Sequence, residues 1–200
     1  MIREGYKGIT DLFIDTVARV DDTQWQQVGL GEWTVRELVG HNCRATFGLI
    51  EGSINHPAER LDIERPVDFW KDIRTPADNA AIAEDGRKAA AALGDNPLKA
   101  VREIADRVRA HIDQSQDDTL ITTRAGGMRL IDYLATRVFE CTIHTLDLAA
   151  AIQADIALPT PAATIALQIL GERAKLRGHV IPLLLAATGR RALPEGLSVL

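Results

Sequence analysis

Apolar residues recur every three or four positions along most of this chain, with charged residues between them. That spacing marks helices that bury one face. In residues 2–20 the stripe is Tyr6, Ile9, Leu12, Phe13, Thr16, Val17 and Val20, and it stops at Asp21 and Asp22. Trp25 follows, and Gly29 and Gly31 mark a loop. Thr34 and Glu37 form a T-x-x-E capping box just before the periodicity resumes. A second helix is therefore expected from Thr34 to about Glu51, ending at Gly52, with Trp33 and Leu38 placed to staple its first turn. Residues 53–75 are mixed and charged, with Pro57 and Pro66, and read as a long connection with one helical turn near 67–71. Residues 76–93 read as helix. Gly94-Asp95-Asn96-Pro97 is a break in which Asn96 caps and Pro97 opens a helix with Leu98, Val101, Ile104, Ala105, Val108 and Ile112 on one face. Residues 114–127 lack periodicity and end in Gly126-Gly127. Two more helices are expected over 130–152 and 160–177, the second opened by Pro161 and ended by Gly178. A short apolar run, Val180–Ala187, then leads to Gly189-Arg190-Arg191 and a tail. With no internal repeat, the pattern predicts a single all-α domain over residues 1–200: a bundle in which the 53–75 connection allows one crossover.

Composition agrees with helix over sheet. Alanine and leucine are abundant and aromatic residues make up only 4% of the 200 positions. The net charge of -5 and the absence of a lysine and arginine block argue against nucleic-acid binding, which needs a basic surface. No apolar run approaches the roughly 20 residues needed to span a bilayer, and the first ten residues hold no apolar signal core, so the expectation is a cytoplasmic protein that does not engage a membrane. Cys43 and Cys141 are far apart, form no C-x-x-C pair and fall inside helical patterns; both read as small buried apolar residues.

The 130–152 helix carries the candidate chemistry. Leu134, Val138, Cys141, Thr145, Leu148 and Ile152 form one apolar stripe, and Ile131, Ala135, Phe139, Ile143, Leu146 and Ala150 form another. Charge is confined to the narrow stripe Arg137, Glu140, His144 and Asp147. A helix apolar nearly all round is buried on most sides, so that stripe sits in a confined place. Glu140 and His144 are one turn apart and share a face. A carboxylate and an imidazole so placed can reach one divalent metal, and zinc accepts both while keeping an open position in catalytic sites. The pair is a two-ligand fragment. His41, on a helix able to face this one, is the best candidate for a third ligand. His56, His111 and His179 read as histidines without a metal role, and Trp25, Trp33 and Trp70 as core or cap packing. H-E-x-x-H, G-x-S-x-G, a P-loop and G-x-G-x-x-G are all absent.

Two elements together resemble the mycothiol-dependent maleylpyruvate isomerase family, actinobacterial proteins of the wider DinB-like group of thiol-dependent metalloenzymes. They are Trp33-Thr34-Val35-Arg36-Glu37-Leu38 followed by His41, and Glu140-x-x-x-His144-x-x-Asp147-Leu148, with a closing Thr188-Gly189-Arg190. The resemblance covers roughly residues 5–191. It implies a DinB-like four-helix bundle with extra C-terminal helices and a divalent metal, zinc or alternatively nickel, on His41, Glu140 and His144. It further implies that the open metal position receives the thiolate of mycothiol, which adds to a small electrophilic substrate. The isomerase has an additional C-terminal domain for which this chain, read to Leu200, leaves no room, so a more general thiol-dependent S-transferase or isomerase-like enzyme is expected. Asp147 is placed to orient a ligand histidine, and Arg137 and Arg190 to meet an anionic substrate or Asp147. The assembly is expected to be a monomer or homodimer. Two other readings stay open: a non-enzymatic helical ligand-binding or regulatory protein with a structural metal, and a metal-free bundle whose charged stripe is an ion-pair ladder.

Overall fold

The first helix, α1 (Ile2–Val17), buries most of the stripe read from its sequence, with Tyr6, Ile9, Phe13 and Val17 at 2% exposure or less, while Leu12 is half-buried and Val20 lies past the helix end. The structure is a computed structural model; it describes residues 1–70 and 76–200, the side chains of 76–79 apart. After α1 a short hairpin, β1 (Val28–Leu30) and β2 (Trp33–Thr34), turns at Gly31, whose φ of 57° suits glycine. Thr34 then caps α2 (Val35–Cys43). Its hydroxyl accepts from the Glu37 amide at 3.2 Å, and the Glu37 carboxylate accepts from the Thr34 amide at 2.8 Å, as the T-x-x-E pattern predicts.

The chain does not stop at Gly52. It widens into a π-helical turn, Arg44–Gly48, and continues as α3 (Leu49–Ile54). A 3-10 turn, Pro66–Trp70, lies where one turn was expected; position 71 of that expectation, and 71–75 of the long connection, lie outside the described residues. There follow α4 (Pro76–Ala92) and α5 (Pro97–Asp113), the latter capped by Asn96, whose side-chain oxygen accepts from the Lys99 amide at 3.0 Å. A second hairpin, β3 (Leu120–Thr123) and β4 (Gly126–Arg129), occupies the stretch read as aperiodic. Its strands are four residues long and one begins Gly-Gly, too short for an alternating pattern to register. Gly127 is needed there, because a Cβ would fall 2.0 Å from the Arg60 carbonyl oxygen. The last helices are α6 (Leu130–Ala151), α7 (Thr160–Leu176) and α8 (Val180–Ala187).

Apart from the two hairpins, the described elements are helical, the class expected from the sequence. At the centre lies α6, packed on α1, α2 and α7; α1 also packs on α5 and α7, and α2 on α4. The stripe Leu134, Val138, Cys141, Thr145, Leu148 and Ile152 is buried along its whole length. Each fully buried leucine there contributes about 1.5–3 kcal/mol through the hydrophobic effect. The second apolar stripe is less enclosed than expected and surfaces at Leu146 and Ala150. The contact of α2 with α4 is backbone on backbone: a Cβ on Gly40 would lie 2.4 Å from the Ala90 nitrogen. One residue on, His41 sits beneath Gly86 of α4. Among the described residues no helix is long and apolar enough to cross a membrane.

Candidate functional site

The charged stripe of α6 turns toward α2, and burial there is deep. Arg137 is 2% exposed and Glu140 9%. Glu140 Oε2 lies 3.6 Å from His144 Nε2. On the other side of that ring Nδ1 lies 3.1 Å from Asp147 Oδ2, so Asp147 accepts a hydrogen bond from Nδ1–H and leaves Nε2 directed at Glu140. His41 of α2 meets His144 edge to face, with ring centroids 4.8 Å apart. The structure thus brings together His41, Glu140, His144 and Asp147.

Two tryptophans complete the surroundings. The Trp70 indole Nε1–H donates to Glu140 Oε1 at 3.0 Å. The Trp33 ring lies 4.3 Å from that of His41. Both read from sequence as packing residues only. Trp70 is 70 positions from Glu140 and its 3-10 turn has no periodic signature, so no local signal could have found it. For Trp33 the signal was its place just before the cap of the helix that carries His41.

Arg137 is held on three sides. Its Nη1 donates to the Ala45 carbonyl in the π-helical turn at 3.1 Å, and its Nε donates to Thr136 Oγ1 at 3.0 Å. Its guanidinium lies 4.9 Å from the ring centroids of both Phe69 and Tyr133. The next carbonyl in the same turn, of Thr46, accepts from the Tyr6 hydroxyl at 3.1 Å. A wide turn exposes carbonyls to such donors. Arg137 Nη2 is 4.0 Å from Glu140 Oε1, so Arg137 pairs with Glu140 and not with Asp147.

These neighbours set the charge states. Burial alone would push the Glu140 carboxyl up, but the His144 hydrogen bond, the Arg137 and His144 charges and the Trp70 donor hold it well below the usual carboxylate range. For His144, burial disfavours the imidazolium, yet hydrogen bonds to Asp147 and Glu140 and the charges of both outweigh it and raise the group to about 9. Burial lifts the Cys141 thiol to about 11 and Cys43 further still. Neither cysteine is a thiolate near neutral pH, and neither lines the site. Any thiolate acting here comes from another molecule.

The stripe opens onto a cavity of about 410 Å³. His41, Glu140 and His144 line it together with Arg44, Arg124 and Arg137, and with apolar Leu30, Trp33, Ala45, Leu49 and Ile82. The Arg44 guanidinium is 2.6 Å from Asp85 of α4. Arg190 is not brought to this cavity. It follows α8, which packs on α7, and it is exposed with its guanidinium on the Thr188 carbonyl at 3.2 Å.

His, Glu and His form a donor set suited to zinc. Two ligands on one tetrahedral zinc, with bonds near 2.0 Å, lie about 3.3 Å apart, close to the observed 3.6 Å between Glu140 and His144. The residues therefore fit a divalent metal in type and in that spacing. As they stand, no three His, Cys, Asp or Glu side chains among the described residues are gathered closely enough to hold one. His144 and Glu140 lie within ion-pairing distance whenever the imidazole is protonated.

None of the curated proteins matches the chain. Its fold is similar to the crystal structure of the mycothiol-dependent maleylpyruvate isomerase, with a TM-score of 0.53 over 88% of this chain and 68% of that one, at 16% identity. At that identity the likeness concerns the fold. Residues 7–149, which run from within α1 through most of α6 and carry all four stripe residues, match the family model described as mycothiol maleylpyruvate isomerase N-terminal domain. The chain belongs to the family of the mycothiol maleylpyruvate isomerase N-terminal domain.

Proposed function

We propose that this protein is a thiol-dependent metalloenzyme in which His41, Glu140 and His144 hold one divalent metal, zinc by preference, and mycothiol is the thiol cosubstrate. The observation that carries the reading is the convergence of the three donors, from two helices, on one open cavity. A bound divalent metal would supply a Lewis acid that keeps a coordinating thiol deprotonated at neutral pH.

The chain's own residues do the rest. Asp147 holds the proton on His144 Nδ1 and so presents Nε2 as the donor atom. Trp70 occupies Glu140 Oε1 and leaves Oε2 toward His144. Arg137 balances the buried Glu140 charge. Arg44, Arg124 and Arg137 bring guanidinium donors to the cavity wall, groups of the type that recognise an anionic electrophile. Trp33, Leu30, Leu49 and Ile82 give it an apolar wall against which the non-reacting parts of a small substrate can pack. The reaction class is addition of a thiol to a small electrophile, leading to isomerisation or S-transfer.

The competing reading is the metal-free ion-pair ladder, favoured by the His144–Glu140 and His144–Asp147 contacts. Metal analysis of the purified protein separates the two. One equivalent of zinc, lost in His144→Ala, is expected; a wild type that takes up no zinc even when it is supplied refutes the proposal in favour of the ladder.

A further inference from the structure

Arg173 carries a charge that the site described above does not use. It lies on α7, is 4% exposed, and so is far more buried than arginines ordinarily are. Its guanidinium donates to backbone carbonyls: Nη1 to Trp70 at 3.3 Å and to Val67 at 3.5 Å, and Nε to Val199 at 3.1 Å. The first two belong to the 3-10 turn Pro66–Trp70. Carbonyls at a helical end lack partners within the helix, and a cation there is favourable. The turn is braced within itself by Arg65, which engages both oxygens of Asp68 at 2.9 and 3.0 Å.

The turn delivers Trp70. Its ring stands edge-on between Phe69, at 5.3 Å, and Phe139, at 5.5 Å, and its Nε1–H reaches Glu140 Oε1. A tryptophan has only two side-chain torsions, so a fixed backbone and a wedged ring determine where Nε1 points.

We propose that Arg173 is a positioning residue for the metal site: by holding the Pro66–Trp70 turn it keeps the Trp70 indole on one oxygen of Glu140, so that Oε2 alone is presented to the metal. The inference rests on the metal reading above. A carboxylate with one oxygen occupied binds through the other, which favours a four-coordinate site that retains an open position. Without the indole the Glu140 carboxylate is free to rotate, and its Oε2 is no longer pre-oriented toward the metal.

Two readouts test this on the full chain, one independent of metal. In the metal-free protein the indole N–H of Trp70, assigned by its loss in Trp70→Phe, is followed by amide-type hydrogen exchange. Arg173→Met and the milder Arg173→Lys are expected to speed its exchange on the order of tenfold and leave Trp25 and Trp33 unchanged. Zinc titration is expected to show affinity weakened about tenfold in Arg173→Lys, as for other outer partners of metal ligands. The double variant Trp70→Phe/Arg173→Lys binds zinc no more weakly than Trp70→Phe alone. A merely structural role lowers stability without moving either quantity, and unchanged Trp70 exchange, or zinc effects that multiply in the double variant, overturns the proposal. A wild type that takes up no zinc overturns the metal reading and this role with it; the exchange measurement then separately reports whether Arg173 holds the indole on Glu140.

Discussion

Gly40→Ala probes how the fold sets the site. Alanine is the better helix former by about 1 kcal/mol in a helix interior, so propensity alone predicts stabilisation. The structure predicts the opposite. The new Cβ would lie 2.4 Å from the Ala90 nitrogen and 2.5 Å from its Cα, and no side-chain rotation relieves a contact with backbone. An ordinary contact of about 3.4 Å requires α2 and α4 to part by about 1 Å. Overpacking of this kind costs about 1–3 kcal/mol, and a backbone contact belongs at the upper end. The net loss is about 2 kcal/mol, which lowers the urea midpoint by about 1 M for a slope near 2 kcal/mol/M. Because His41 follows Gly40, zinc affinity should fall as well. Gly171→Ala is the internal control: it lies within α7 with no atom within 4 Å of the added Cβ, so it should stabilise by about 0.5–1 kcal/mol. Urea unfolding of both variants gives the answer. If Gly40→Ala matches or exceeds the wild type in stability, the backbone-contact account of the α2–α4 interface is wrong.

Further outcomes follow from the same geometry. In the metal-free protein His144 is raised from its ordinary 6.5 to about 9, so its contribution to stability is complete below pH 6.5 and is lost as pH climbs through 9. Thermal unfolding in chelator across that window should show the decline, and His144→Gln should flatten it. Asp147→Asn removes the carboxylate that fixes the His144 proton; it should weaken zinc binding 10- to 100-fold by calorimetry and, in the metal-free protein, lower stability below pH 6.5 and shrink its decline toward pH 9. Thr34→Ala deletes one half of the capping box and should cost about 1 kcal/mol in urea unfolding.

Periodicity and caps made most of the helices legible. Thr34 with Glu37 and Asn96 with Pro97 mark their helices because an end without partners needs a side chain of the right type at a fixed offset. Glu140, His144 and Asp147 were legible for a related reason: polar residues one turn apart on an otherwise apolar helix share a confined face. His41 was a candidate from its place on a helix able to face α6, and the family resemblance strengthened it, since nothing local in the sequence says which face of α2 meets α6. Trp70, Arg173 and the lining residues Arg44 and Arg124 were out of reach, because their roles arise from tertiary contacts between distant segments. The π-helical turn was equally hidden: its sequence, Arg44–Gly48, continues a helical pattern, and only the carbonyls it turns toward Arg137 and Tyr6 reveal it. The hairpins escaped because strands of two to four residues carry too little alternation to read.

The central claim is that a small thiol meets a metal held by His41, Glu140 and His144. Cobalt replaces zinc in such sites and reports sulfur coordination by a charge-transfer absorption band. Adding mycothiol to the cobalt-loaded protein should produce that band at one equivalent, and His41→Ala, Glu140→Gln and His144→Ala should each abolish cobalt uptake. Cobalt bound with no change on adding mycothiol, or uptake indifferent to all three substitutions, would contradict it.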